Sequence, residues 1–203
     1  MSGRLVLEPA NGMATAPGRH DHVIFEIDDG SRLRFNDPRR VGLMDLVPAA
    51  SLDRHELFRH LGPDPFDPAF DGASLAASLA GRSAPIKALL MDQRVVAGLG
   101  NIYVCESLYR AGLSPTCGGG TIGRARARRL VEAIRSVLGD AIAAGGSSLR
   151  DYVQASGEPG YFQNDFAVYG RVGEACLSGR PGHRISRMVQ ANRSTFYCAR
   201  CQR

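Results

Sequence analysis

The chain has 203 residues, 44% of them hydrophobic and 22% charged, enough to bury one large core or two small ones. A net charge of +5 and a pI near 9.2 suggest a polyanionic partner without establishing one; of 25 basic residues 24 are arginine, so Lys87 is the one side-chain amine. No apolar run approaches the roughly 18 residues a membrane span needs, and Arg4, Glu8 and Pro9 stand where a signal peptide would be apolar, so a cytoplasmic protein with no membrane contact is expected.

Residues 1–8 can form a strand and 9–19 read as a Pro/Gly/Ala-rich loop. HVIFEIDDGSRLRFN over 22–36 reads as a hairpin, with Val23, Phe25 and Ile27 alternating before Asp29-Gly30 and Leu33 and Phe35 after it. Strand character ends near Val47-Pro48. From Ser51 the pattern changes to short helical runs, SLDRHELFRHLG and SLAASLAG, separated by PDPFDPAFDG, whose three prolines forbid a continuous helix, and a domain boundary is expected there. Asn101 begins an apolar helix. Residues 121–144 repeat Leu130, Ile134, Val137 and Ala141 at helical spacing up to Gly145-Gly146, where a left-handed cap is easy. Ser148 and Asp151 look like the start of one more short helix, and 156–170 read as a loop leading into a strand.

The chemistry-bearing residues cluster at the C-terminus. Cys198 and Cys201 have C-x-x-C spacing, suited to two thiolates on one tetrahedral Zn²⁺; a redox pair or two unrelated thiols are the bland alternatives. Upstream, Cys176 has no second cysteine beside it, and His183 is the nearest imidazole. A Cys₃His site of Cys176, His183, Cys198 and Cys201 is chemically ordinary, and a solvated His183 beside a weakened three-ligand site is the other reading. Between these residues, 184–198 read as a hairpin whose turn, 191–194, projects Arg193, either a phosphate contact or a solvated charge.

Gly98 and Gly100 permit a sharp turn before the helix at Asn101, and such a helix start attracts phosphate, although G-x-G before a helix is common. Glu106, further along that helix, is as well read as an internal support as a catalyst, and Cys105 and Tyr109 as core. Arg39 and Arg40 follow a proline-fixed turn, where an arginine can enter a duplex groove or simply carry surface charge.

Taken together, MSGRL, HDHVIFEIDDG, NDPRRVG, IKALLMDQ, AGLGNIYVCESLYRAGLSP, PGYFQNDFAVYGR and FYCARCQ resemble the formamidopyrimidine-DNA glycosylase family in order and spacing, from Met1 to Arg203. The PGYF…VYGR loop favours the oxidised-purine branch over endonuclease VIII. The resemblance implies an α+β fold: a remnant of an N-terminal β-sandwich over 1–50, a helix-two-turn-helix domain over 51–156, a lesion-lid loop over 157–168 and a zinc β-ribbon over 169–203. It implies a monomer that holds Zn²⁺ and binds double-stranded DNA with a damaged base or abasic site in the cleft between domains.

By the same resemblance Asn101 and Arg193 grip phosphates around the flipped nucleotide, and His20, Arg82 and Lys87 match further DNA-contact positions. Met1, Arg39 and Val41 match the three residues that fill the gap left by the lesion, with valine where the family has a phenylalanine wedge. Arg193 is also implicated in the elimination step that releases the second sugar–phosphate bond. The family's initiating N-terminal proline, its glutamate partner and its catalytic lysine all precede the point matched by Met1. The expectation is therefore a glycosylase/AP lyase whose catalytic segment is missing from this sequence; a short protein that binds damaged DNA without cutting it and a decayed copy are the alternatives.

Overall fold

The structure, a computed structural model, describes residues 3–12, 15–148, 154 and 158–203. Two compact units divide the chain, one formed by Met1–Leu46 with Ala141–Asp165 and the other by Val47–Asp140 with Phe166–Arg203.

In the first unit, β1 (Arg4–Glu8), β2 (Asp21–Glu26) and β3 (Arg32–Asn36) form an antiparallel sheet in the order β1-β3-β2. The register sets Leu5 and Val23 opposite Phe35, and Leu7 and Phe25 opposite Leu33, so these side chains share one face. The other face is polar, with Arg34 paired to Glu8 and Asp21 and Arg32 to Glu26. The apolar face stays open among the described residues: Leu5, Leu7 and Phe25 are each more than 40% exposed. One layer of a two-layer arrangement is thus present.

The second unit holds the principal core. Helix α1 (Gly72–Leu79) is fixed at its start by a capping box, in which Asp71 accepts from the Ala73 and Ser74 amides and Ser74 Oγ accepts from the Asp71 amide. Helices α2 (Ile86–Leu90), α3 (Asn101–Arg110) and α4 (Arg124–Ala143) follow. Leu75, Leu79, Ile86, Leu90, Val104, Leu108, Leu130 and Ile134 close one cluster. Gly145 and Gly146, at φ 72° and 90°, end α4 with the Gly145 amide on Ile142 O and the Gly146 amide on Ala141 O, the paired bonds of a Schellman cap. Strands β4 (Ser186–Gln190) and β5 (Arg193–Tyr197) form the C-terminal hairpin. Among the described residues no helix is long and apolar enough to cross a membrane.

Three local expectations change. SLDRHELFRHLG forms a 3₁₀ helix over Ala49–Arg54 and then turns, because Leu52, Leu57, Phe58 and Leu61 are all 45% exposed or more and no buried face rewards a helix. The segment after Tyr161 is a 3₁₀ turn over Phe162–Asp165 rather than the approach to a strand; the amides of 167–169, which a strand would use, go to a side chain instead. Arg193 belongs to β5, and the hairpin turns on Ala191 and Asn192 alone. The short helix expected at Ser148-Asp151 lies largely outside the described residues.

Candidate nucleic-acid interface and metal centre

Within the second unit α2 packs on α3 and α3 on β5, the elements that carry Lys87, Asn101 and Arg193. After α2 the chain is folded back by Gln93, whose Oε1 accepts the Gly98 amide at 2.7 Å and whose Nε2 donates to Leu99 O at 3.1 Å. Gly98 sits at φ 79°, where a Cβ is strained. Gly100 then starts α3 with no side-chain cap, leaving the positive end of the helix dipole uncompensated beside Asn101. On the facing hairpin, Ala191 and Asn192 have φ of 47° and 59°, the left-handed pair of a two-residue turn, and Arg193 leaves that turn exposed.

Asn101 ties the two elements. Its Nδ2 donates to Ser194 O at 2.9 Å and lies 3.4 Å from Tyr169 Oη, so one N–H is firmly used and the other only loosely held, while Oδ1 is buried without a partner. Lys87 is 1% exposed and its ammonium bonds to no described residue. Burial pushes its pKa down; Cys105 partly offsets this, and the positive charge of Arg193 adds to the fall. The side chain is thus enclosed along its length while its ammonium keeps some contact with solvent, a partly desolvated cation without a counter-ion among the described residues.

Glu106, 4% exposed, accepts backbone N–H groups from Ala167, Val168 and Tyr169 at 2.9, 3.0 and 2.8 Å. The Tyr169 ring packs on Phe196 of β5 with centroids 4.8 Å apart. Glu106 is thus an internal support that fixes the turn on which both Asn101 and the hairpin lean. Sequence reasoning placed it in the helix but not at this turn, since nothing in the spacing links 106 to 167–169. Gln202 was missed altogether: 3% exposed, it accepts from Cys198 N and donates to Leu113 O, pinning the hairpin to the end of α3.

The metal-ligand candidates also converge. Cys176, Cys198 and Cys201 are unpaired by disulfides, and their sulfurs lie within 4.8 Å of one another. Burial raises the Cys176 thiol, but hydrogen bonds from Ser178, Tyr109 and Cys198 outweigh it and bring the pKa down to about 6, while burial and the neighbouring thiols push Cys201 up, so Cys176 is the first thiolate of the cluster. The triad fits Zn²⁺, whose chemistry here is structural: it would staple the base of the β4–β5 hairpin to the turn after Ala175.

The remaining sequence candidates are placed elsewhere. In the first unit Asp37, 1% exposed, accepts the Arg39 and Gly42 amides at 3.3 and 2.7 Å and donates its own amide to His20 O at 2.9 Å, so one carboxylate fixes the turn that carries Arg39 and the exposed Val41. Arg82, in the second unit, is exposed at the turn after α1, where its charge acts on Asp92 rather than on the Lys87 cluster. Met1 lies outside the described residues.

A sheet, a helical body built on the α2–turn–α3 unit and a cysteine-clamped hairpin define an α+β protein of the helix-two-turn-helix, zinc-finger class. Three family profiles cover most of the chain: the formamidopyrimidine-DNA glycosylase N-terminal domain over residues 1–44, the formamidopyrimidine-DNA glycosylase H2TH domain over 61–153, and the zinc finger found in FPG and IleRS over 182–203. The chain belongs to the formamidopyrimidine-DNA glycosylase family. It is 56% identical over 210 residues to the formamidopyrimidine-DNA glycosylase of Cereibacter sphaeroides, covering 100% of this chain and 74% of that one, and 55% identical over 214 residues to that of Rhodospirillum centenum, covering 100% and 73%. Among solved structures it is similar to MutM (FPG) from Thermus thermophilus, with 40% identity and a TM-score of 0.84 over 100% of this chain and 73% of that one. It is also similar to Lactococcus lactis Fpg in complex with DNA containing an abasic site, with 32% identity and a TM-score of 0.85 over 100% and 72%.

Proposed function

We propose that this protein serves base-excision repair by gripping duplex DNA that carries a damaged base or an abasic site. Lys87, Asn101 and Arg193 hold phosphates next to the lesion, His20, Arg39 and Arg82 add contacts, and Met1 stands at the vacated position in the duplex. The helical domain over 51–156 and the ribbon over 169–203 supply most of this grip, and the 1–50 remnant and the 157–168 loop are assigned to lesion recognition. One observation carries the reading: the enclosed Lys87 side chain, whose ammonium has no hydrogen-bond partner among the described residues, is near enough to the exposed Arg193 for the two positive charges to oppose each other. That arrangement is costly in the free protein and complete once a phosphate enters. The abasic-site DNA held by the Lactococcus lactis relative supports the same partner.

Within the family's glycosylase/AP lyase chemistry we assign Arg193 to the later elimination step, as the cation beside the departing phosphate. Lys87, the one side-chain amine, acts as a phosphate-binding cation and not as a nucleophile. A module that binds abasic DNA without cutting it is the second reading, favoured by the enclosure of the Lys87 side chain.

Fluorescence anisotropy of the zinc-loaded chain with a tetrahydrofuran-containing duplex and an undamaged one tests the reading. Binding should be tighter to the abasic analogue, and Asn101→Ala and Arg193→Ala should each weaken it about tenfold, roughly 1.4 kcal/mol. Equal affinity for the two duplexes, untouched by either substitution, would contradict it.

A further inference from the structure

The loop from Cys176 to Ile185 has a single imidazole and no second thiol. It closes on itself: Ala175 and Arg184 form an antiparallel bridge, the Cys176 amide donates to His183 O at 2.9 Å, and Gly179 and Gly182 take φ of 68° and 73°. This closure carries His183, half-buried, to the C-x-x-C turn rather than into solvent. Its Nδ1 lies 3.1 Å from Cys201 Sγ and 4.0 Å from Cys198 Sγ. In a tetrahedral zinc site with ordinary bond lengths, the nitrogen–sulfur edge is about 3.6 Å and the sulfur–sulfur edge about 3.8 Å. The two His183 distances bracket the first value, and the 3.7 Å between Cys176 and Cys201 meets the second.

We infer that His183, through Nδ1, is the fourth ligand of the metal centre, so that the site is Cys₃His. The three thiols form one face of the tetrahedron; the imidazole stands against Cys198 and Cys201 and lies farther than 4.8 Å from Cys176 Sγ, so the edge to Cys176 is open. Ser178 Oγ, 3.5 Å from the same nitrogen, is the competing neighbour. A neutral serine hydroxyl is not among the thiolate, imidazole and carboxylate ligands that structural zinc takes. With neutral imidazole in place of a fourth thiolate, the zinc complex carries one negative charge fewer at the base of the hairpin that presents Arg193. The inference concerns coordination alone and stands or falls apart from the DNA-binding reading.

X-ray absorption at the zinc edge of the native, zinc-loaded chain is the primary test, because it needs no variant to fold. Three sulfurs and one nitrogen with outer-shell imidazole scattering are expected; a shell without that scattering overturns the inference. Cobalt substitution gives a second readout. The d–d absorption of the native complex should lie at shorter wavelength than that of His183→Cys, where a fourth thiolate enters. In zinc competition with a chromophoric chelator, His183→Ala should bind at least tenfold more weakly and His183→Cys should restore tight binding. Cobalt spectra and zinc affinities identical between native and His183→Ala chains would remove His183 from the site.

Discussion

Replacing Glu106 by glutamine tests how the interface is held. Oε1 accepts from Val168 and Tyr169 and Oε2 from Ala167, all within 3.0 Å. Glutamine can keep its carbonyl at the first position but then turns an NH₂ toward the Ala167 amide, replacing one charge-assisted hydrogen bond with a donor–donor contact. Such a bond contributes about 1.5–3 kcal/mol, and the other two lose their ionic character, so a loss of about 2–3 kcal/mol is expected. For a chain of this length that is a fall of about 5–10 °C in Tm. Glu106→Ala, which strands three buried N–H groups, should cost more. Urea unfolding of the zinc-loaded protein with an unchanged m-value reads the difference. Because Tyr169 packs on Phe196 and lies beside Asn101, affinity for abasic DNA should fall as well. A Glu106→Gln protein within 0.5 kcal/mol of native stability would refute the clamp.

Lys87→Met should stabilise the DNA-free chain while weakening DNA binding, because it removes a partly desolvated cation that a phosphate would complete. The sign with pH follows. Burial holds the folded-state pKa below 10.5, so the unfolded chain binds the proton more readily; the penalty is whole below the folded pKa and shrinks as pH rises toward 10.5. The gap between native and Lys87→Met unfolding free energies should therefore narrow with rising pH in that window, and a gap independent of pH would contradict the assignment. Gly72→Ala would put a Cβ 2.6 Å from the Arg128 backbone and push α1 off α4, costing about 1–3 kcal/mol of stability, read as a lower urea midpoint at unchanged m-value. Stripping zinc with a chelator should loosen the ribbon and weaken DNA binding together, both recovering on zinc addition. Hydrogen exchange of the Thr195 and Phe196 amides, unchanged by chelation, would count against a metal staple.

The elements with strong periodicity or forced turns were legible in the sequence. Alternation gave the strands of the N-terminal sheet, and the glycine pair at 145–146 ended α4 where expected. SLDRHELFRHLG misled because its apolar residues have helical spacing but no partner surface in the fold, and periodicity cannot report whether a face is covered. At the site, Cys176, Cys198 and Cys201 were readable because thiol spacing states a coordination geometry directly. Glu106 was read as a support or a catalyst but without its partners, and Gln93 and Gln202 were not singled out, since each satisfies backbone groups far along the chain or across a turn, and a single polar residue carries no mark of the amides it will meet. Lys87 was visible as a solitary lysine, but its burial depends on how α2 packs in the tertiary fold.

The salt dependence of binding tests phosphate gripping most directly. Each protein–phosphate contact contributes about −0.9 to the slope of log affinity against log salt concentration. Measured on the tetrahydrofuran duplex, the doubly substituted Lys87→Met, Arg193→Gln chain should have a slope shallower than native by nearly two of these increments. Parallel lines for the native and substituted chains would contradict the assignment of Lys87 and Arg193 to DNA phosphates.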